Sequence, residues 1–228
     1  MIRSDLSGDR RLLLQLHLGG DRNFTYVVGE RDGTAAVVDP GFAPERVADL
    51  LRERGLTLAA VLLTHGHSDH TGGALALAAA TGAPVLAGPG SPVPGARVVA
   101  DGERVPVGGL ALTAWYTPGH SPDHVCWLGD GFACTGDLLF CGKVGGTGPF
   151  FPGSSAEQEW SSLHRLLTLP DDTVVLPGHD YYGGPGERRH STIGIERTEN
   201  PFLTCPDFAA FIHLKEHWAE YKREHGLR

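Results

Sequence analysis

Cationic side chains, long apolar runs and cysteine are all scarce in this sequence, and each scarcity bears on function. The 228 residues include 19 Lys and Arg against 27 Asp and Glu, which gives a formal net charge of −8 at pH 7. Surfaces that bind nucleic acid or anionic membranes need clustered Lys and Arg. We therefore expect neither partner and predict a small-molecule substrate, with the oligomeric state left open.

No stretch approaches the ~18 consecutive apolar residues of a membrane span. The apolar segment near the N-terminus is short and contains Gln15 and His17, unlike a secretory signal peptide. These absences predict a cytoplasmic protein. Four cysteines without CxxC spacing predict buried free thiols, not a metal site or a disulfide framework. They are Cys126, Cys134, Cys141 and Cys205.

What is abundant is glycine, with 32 residues, and proline, with 16, so we expect short elements and many turns. Periodicity predicts strands at 12–18, 24–30, 34–39, 57–63, 110–115, 124–128, 131–134 and 173–176, with short ones near 85, 98 and 105. It predicts helices at 44–54, 71–80, 156–167 and 208–224. The apolar stripe of the last helix is expected to be core packing. A glycine turn at 31–33 is expected to join the second and third strands. Two strand-rich halves, each interrupted by helices, indicate two sheets with helices outside.

The strongest pattern for chemistry is a histidine-rich segment that directly follows an apolar strand. Residues 64–70 read THGHSDH, so three His and one Asp fall within six positions. Imidazole and carboxylate groups are ligands that suit Zn²⁺, Fe²⁺ and Mn²⁺. Alternation along an extended chain places His65 and His67 on one side, and Asp69 and His70 follow where the chain turns into a helix. The segment therefore offers two pairs of ligands to two neighbouring metal positions.

Three later turns each place a further potential ligand at the end of a predicted strand. His120 lies in TPGHS, Asp137 in TGD and His179 in PGHD. Turns built from glycine expose such side chains to a common cleft. A single histidine is more often structural, but four such loops in one chain indicate one shared metal site.

The ordered set THGHSDHTGG, TPGHS, TGD and PGH resembles the motifs of the metallo-β-lactamase superfamily. The resemblance implies a mixed α/β fold, a four-layer αββα sandwich with two metal ions at one edge. It implies a catalytic domain over 1–180 and a short C-terminal loop and helical extension, 181–228, packed on the same domain. Its implied ligands are His65, His67 and His120 for one metal, Asp69, His70 and His179 for the other, and Asp137 bridging both.

The charge of such a centre fits hydrolysis. Two divalent cations bring four positive charges, of which Asp69, Asp137 and a bridging hydroxide offset three. Metals about 3.5–4 Å apart share a water and lower its pKa towards ~7. Our mechanistic hypothesis is that this hydroxide attacks a carbonyl polarised by one metal, while Asp69 both ligates and orients the nucleophile. We expect zinc, with iron or manganese as alternatives.

Within the superfamily, the chain is similar to the hydroxyacylglutathione hydrolases (glyoxalase II), which have all seven ligands. They also carry a Cys-Gly-Lys segment after the bridging Asp, present here at 141–143. In that family the Lys and a Tyr after the last His contact the anionic thiol, and Lys143 and Tyr181 are the nearest counterparts. The family's aromatic residues after the Lys are replaced by VGG at 144–146. We therefore predict a thioester hydrolase acting on a small acyl-thiol or on a carrier-protein-bound acyl thioester.

Two alternatives remain open. The C-terminal segment after His179 also resembles that of persulfide dioxygenases, which use one iron at the equivalents of His65, His120 and Asp137. Those enzymes normally carry Gly-Arg-Thr-Asp after the Asp motif, whereas residues 145–148 read GGTG here. The second alternative is a lactone hydrolase or another ester or amide hydrolase of the same superfamily.

Overall fold

Two β-sheets pack face to face, and each is covered by helices on its outer face. The computed structural model describes residues 1–9, 11–20, 22–31, 33–181 and 188–227. The first sheet has its strands in sequential order, from β1 to β7. They are β1 (Ile2–Asp5), β2 (Arg11–His17), β3 (Phe24–Glu30), β4 (Thr34–Val38), β5 (Thr57–Leu62), β6 (Val85–Ala87) and β7 (Arg97–Val98).

The second sheet is built from the later half of the chain. Its strands are β8 (Arg104–Val107), β9 (Leu110–Tyr116), β10 (Val125–Gly129), β11 (Phe132–Gly136), β14 (Val174–Pro177) and β15 (Ser191–Thr192), in the order β15-β14-β11-β10-β9-β8. A separate two-stranded ribbon consists of β12 (Leu139–Phe140) and β13 (Lys143–Val144). The helices are α1 (Pro44–Glu53), α2 (Ser68–Thr71), α3 (Ala74–Thr81), α4 (Ala156–Leu166), α5 (Ile193–Glu199), α6 (Phe208–Glu216) and α7 (Trp218–Glu224).

Side-chain alternation along the strands produces three apolar layers. On β2, Leu13 faces the opposite sheet, whereas Leu12 and Leu14 pack under α1 and α3. On β11, Phe132 faces the first sheet, whereas Ala133 packs under α4 and α6. Because successive residues of a strand point to opposite faces, each sheet is buried on both sides. The predicted αββα sandwich is therefore confirmed.

The helix boundaries follow ordinary capping chemistry. Pro44 opens α1, where a missing N–H costs nothing. The hydroxyl of Ser155 accepts from the backbone N–H of Gln158 at the start of α4, and Asp207 accepts from Ala210 at the start of α6. Helices α1, α4 and α6 therefore begin at the residues predicted from the sequence.

Two predicted helices differ from the structure in detail. The helix predicted at 71–80 begins three residues later, at Ala74, and the short α2 precedes it, because the backbone N–H of Gly73 bonds to Pro40 O instead of continuing α2. The final helix is split at His217, next to Trp218, whose ring lies 4.8 Å from that of Phe202. The pattern also missed the short elements β1, β12, β13, β15 and α5.

Several other predictions concern single segments. The turn predicted at 31–33 includes Asp32, which lies outside the described residues, but β3 and β4 on its two sides pair antiparallel as expected. The four cysteines are free thiols, three of them buried. Within the described ranges, no helix has the length and apolar character needed to cross a membrane.

Trp127 on β10 provides a test of the central layer. Its side chain is fully buried between the sheets, and its indole N–H donates to the carbonyl of Leu63 over 3.0 Å. We expect Trp127→Ala to lower the free energy of unfolding by about 3–5 kcal/mol, measured by urea denaturation. Val98→Ala, at a 55% exposed position, should stay within about 0.5 kcal/mol of wild type. Equal effects of the two substitutions would refute the layer assignment.

Candidate metal centre

The carboxyl ends of several strands deliver polar side chains to one edge of the sandwich. His65 follows β5, His120 follows β9, Asp137 follows β11 and His179 follows β14. β11 and β14 are parallel neighbours, so their ends meet directly. All seven residues predicted from the motifs are brought together there.

One group of three imidazoles lies on the side of His120. His65 Nε2 is 3.0 Å from His67 Nδ1, and His120 Nε2 is 3.1 Å from the same His67 atom. The three nitrogens surround one point, and each belongs to a ring that is buried or half-buried. This group is the set predicted for the first metal.

A second group lies beside the first. His70 Nε2 is 3.2 Å from His179 Nε2, and His179 Nε2 is 3.3 Å from Asp69 Oδ2. Asp137 lies between the groups: its Oδ1 is 3.4 Å from His70 Nε2, and its Oδ2 is 3.3 Å from His179 Nε2 and 3.7 Å from His120 Nε2. Asp137 Oδ1 is buried without a hydrogen-bond partner, as expected for an oxygen that faces a cation.

The spacing of these atoms fits divalent cations. Ligands at 2.0–2.1 Å around a tetrahedral metal lie about 3.3 Å from one another, and the separations here are 3.0–3.7 Å. The donors are imidazole nitrogens and carboxylate oxygens, a set that suits zinc, iron or manganese. The residues therefore fit a pair of such ions.

Hydrogen bonds behind the rings fix which nitrogen faces inward. Gly146 O accepts from His120 Nδ1 over 2.8 Å, and the carboxylate of Asp39 accepts from His70 Nδ1 over 3.0 Å. The Thr64 hydroxyl donates to Asp39 and so accepts from His65 Nδ1, 3.0 Å away. With Nδ1 protonated in each ring, the Nε2 lone pair points into the centre, as metal binding requires.

Burial and charge set the protonation states of the centre. Burial lowers the pKa of His120 to about 4 and holds the pKa of His65 well below its usual range. Burial opposes ionisation of Asp137, but the adjacent histidines, chiefly His70, keep its pKa well below the ordinary value. At neutral pH these groups are therefore neutral imidazoles and an ionised carboxylate, the forms that bind metal.

Asp39 is the main functional residue that the sequence interpretation missed. It is buried with φ +51°, and it accepts from both the backbone N–H and the hydroxyl of Thr64 as well as from His70. The available signal was an Asp-Pro-Gly segment directly after β4, a strand that lies beside β5. Asn23 was missed as well: its amide donates to Asp69 Oδ2 over 2.9 Å.

A cavity of about 420 Å³ opens onto the two groups. Lys143 and Tyr181, predicted as substrate residues, both line it, with the Lys143 ammonium 5.1 Å from the Tyr181 ring centre. Phe151 supplies an aromatic wall 5.0 Å from the His120 ring. The aromatic residues that the glyoxalase II family carries directly after its Lys are replaced by VGG in this sequence. Trp218 also lines the cavity, so the prediction of core packing for its helix stripe was incomplete.

Asp39 generates a prediction for the metal-free protein. Asparagine at position 39 offers one acceptor oxygen in place of the two that bind Thr64 and His70, so a buried donor loses its partner. We expect Asp39→Asn to lower the free energy of unfolding by about 1–3 kcal/mol, measured by urea denaturation in chelator. Asp49→Asn, on the exposed face of α1, is the control and should change little. Asp39→Asn with wild-type stability would contradict the role.

Comparisons with known proteins agree with this architecture. A sequence profile of the metallo-β-lactamase superfamily matches residues 18–96 and 86–179. Hydroxyacylglutathione hydrolase from Chromohalobacter salexigens is 39% identical over an alignment of 199 residues that covers 73% of this chain and 76% of that protein. Other proteins of that name are covered over less of their length, 61% for the one from Pseudoalteromonas translucida and 66% for the one from Tolumonas auensis.

Two solved structures are similar over most of the fold. ETHE1 from Myxococcus xanthus has a TM-score of 0.79 and 35% identity, with 90% of each chain covered. TTHA1623, solved in a di-iron-bound form, has a TM-score of 0.69 and 33% identity, covering 83% of this chain and 99% of that one. The chain therefore belongs to the metallo-β-lactamase superfamily and is similar to hydroxyacylglutathione hydrolases within it.

Proposed function

We propose that this protein hydrolyses small acyl thioesters at a centre of two divalent metal ions. The observation that carries the proposal is the convergence of seven donor side chains, five of which line one cavity that has a lysine in its wall. The name of the curated relatives, hydroxyacylglutathione hydrolase, supports a thioester of a small thiol. The proposed ligands are His65, His67, Asp69, His70, His120, Asp137 and His179.

The metal ions would supply a Lewis acid for the carbonyl and a bound water of lowered pKa. We propose zinc, with iron or manganese as alternatives; a neighbour solved with two irons supports a dinuclear centre. Asp137, with its two oxygens directed to different histidines, is the proposed bridge.

Asp69 is the proposed catalytic residue of the chain itself. Its carboxylate is about one-third exposed and lines the cavity, whereas His67 is half-buried and the other five donors are buried. The amide of Asn23 fixes Asp69 Oδ2 over 2.9 Å, and the histidines around it keep its pKa low despite burial. An ionised carboxylate held in this position orients a water for attack on a carbonyl that enters from the cavity.

The cavity wall suits a thiol that carries negative charge. The ammonium of Lys143 lies over the rings of Phe140 and Tyr181, 6.0 and 5.1 Å from their centres. Tyr181 in turn stacks on His179 at 4.5 Å with the rings nearly parallel. Lys143 is therefore placed to receive an anionic group on the thiol while the acyl carbon lies at the centre.

The structure around Gly146 favours hydrolysis over persulfide oxidation. The persulfide dioxygenases to which the tail is similar carry an arginine in the segment that reads GGTG here. A side chain built on Gly146 would begin 2.2 Å from the Phe151 ring. An arginine at this position would displace Phe151 from the wall beside His120.

We predict that the purified protein contains two transition-metal ions and releases thiol from S-acylglutathione. Asp137→Asn should lower the metal content and should lower kcat/KM by more than about 100-fold. Substituting a residue that only supports a ligand already lowers metal affinity or activity by about 10–100-fold, and Asp137 is itself a proposed ligand. Metal analysis and a thiol-release assay check this, with the exposed Asp171→Asn as control.

Two outcomes contradict the proposal. One is an iron-containing protein that consumes oxygen with a thiol persulfide and releases no thiol from thioesters. The other is Asp137→Asn protein with near-normal metal content and turnover.

Lys143 generates a separate prediction on substrate charge. A hydrogen bond to a charged group contributes about 1.5–3 kcal/mol, so Lys143→Met should raise KM for S-acylglutathione by roughly 10- to 100-fold. The acyl thioester of the uncharged thiol N-acetylcysteamine serves as the internal control and should change less than about twofold. An equal rise in KM for both substrates would show that Lys143 does not bind the charged group of the thiol.

A further inference from the structure

A buried ion pair lies behind the His120 side of the centre. The ammonium of Lys215, on α6, contacts the carboxylate of Glu159, on the first turn of α4. Glu159 is fully buried, and the Lys215 side chain is only 11% exposed. A buried ion pair contributes little net stability, because desolvation offsets the attraction. Its position relative to His120 offers a different reason for its presence.

Lys215 also binds the backbone that holds His120. Its ammonium donates to the carbonyl of Gly145 over 2.7 Å. The next residue, Gly146, provides the carbonyl that accepts from His120 Nδ1. Gly145 fits closely between two of the proposed ligand residues: a Cβ there would lie 1.9 Å from the backbone oxygen of Asp137 and 3.1 Å from His120 Nδ1. A shift of this segment therefore moves the hydrogen-bond acceptor of His120.

Glu159 supports the opposite side of the same histidine. Gly119 packs so closely on α4 that a Cβ there would lie 2.3 Å from Glu159 Cα. The backbone N–H of Ser155, the cap of α4, donates to Gly119 O over 2.8 Å. The ion pair thus joins the turn that carries His120 to the segment that binds its Nδ1.

We propose that the Lys215–Glu159 pair is a positioning device for His120, which holds the Gly146 carbonyl against Nδ1 and keeps the Nε2 lone pair directed into the metal centre. Lys215 acts through the backbone and does not contact substrate, although it lies in the cavity wall. The consequence for metal binding rests on the proposed function. The consequence for the His120 tautomer does not.

The test separates positioning from stability with a single and a double variant. Lys215→Met leaves Glu159 buried without its partner, so this variant alone loses stability whatever the role of the pair. Glu159→Leu/Lys215→Met removes both charges, and replacing a buried pair with apolar residues is often neutral for stability. The contact to Gly145 stays absent in the double variant. Only a positioning role predicts a defect in a double variant that is stably folded.

Four measurements are made on each protein: urea denaturation, zinc affinity by competition with a chelator, KM for S-acylglutathione, and the His120 tautomer from imidazole ¹⁵N shifts of the metal-free protein at pH 7. The His120 signals are assigned by their loss in His120→Asn. Arg197→Met is the matched control, since Arg197 also joins a carboxylate, that of Asp171, to backbone carbonyls, those of Leu167 and Leu169.

We expect the double variant to recover stability but to bind zinc about 10–100-fold more weakly, and to lose the pure Nδ1–H tautomer at His120. Arg197→Met should keep the wild-type zinc affinity and the Nδ1–H tautomer of His120. A stable double variant with wild-type zinc affinity and tautomer would overturn the proposal. So would a higher KM for charged thioesters at unchanged zinc affinity, which would make Lys215 a substrate contact. If the wild type binds neither zinc nor iron nor manganese, the proposed function fails, and the tautomer alone decides this inference.

Discussion

The crowding of lone pairs at one edge of the sandwich is the constraint on which the rest of the molecule depends. Imidazole nitrogens and carboxylate oxygens of seven residues lie 3.0–3.7 Å from their neighbours. Such an arrangement is electrostatically favourable only with positive charge between the donors. Without it, the fold must hold the donors in place through hydrogen bonds behind them and through the packing of the strands that carry them.

The supports come from parts of the chain that are distant in sequence. Asp39 directly follows β4 and binds His70 across 31 positions. Gly146 lies beyond the β12–β13 ribbon and binds His120, and Lys215 reaches the same segment from α6. Asp39 and Gly146 supply acceptors that fix imidazole tautomers, whereas Lys215 donates to the backbone beside Gly146, so α6 is linked to the ligand residues through the protein interior.

The layers and the ligand set were predictable from sequence, whereas the supports were not. Strand alternation at Leu12, Leu13 and Leu14 indicates two buried faces, and the glycine turns identify the donors as side chains at strand ends. The contact of Asp39 with His70 depends on which strands are neighbours, which periodicity does not show. Helical spacing likewise indicates that Trp218 is covered, but not that a cavity lies against it.

The central claim is that the seven side chains hold two cations, and anomalous diffraction from zinc-loaded crystals tests it most directly. The account predicts two peaks, one bounded by His65, His67 and His120 and the other by Asp69, His70 and His179, with Asp137 in contact with both. The absence of peaks between these groups, or a zinc bound only elsewhere on the chain, would contradict it.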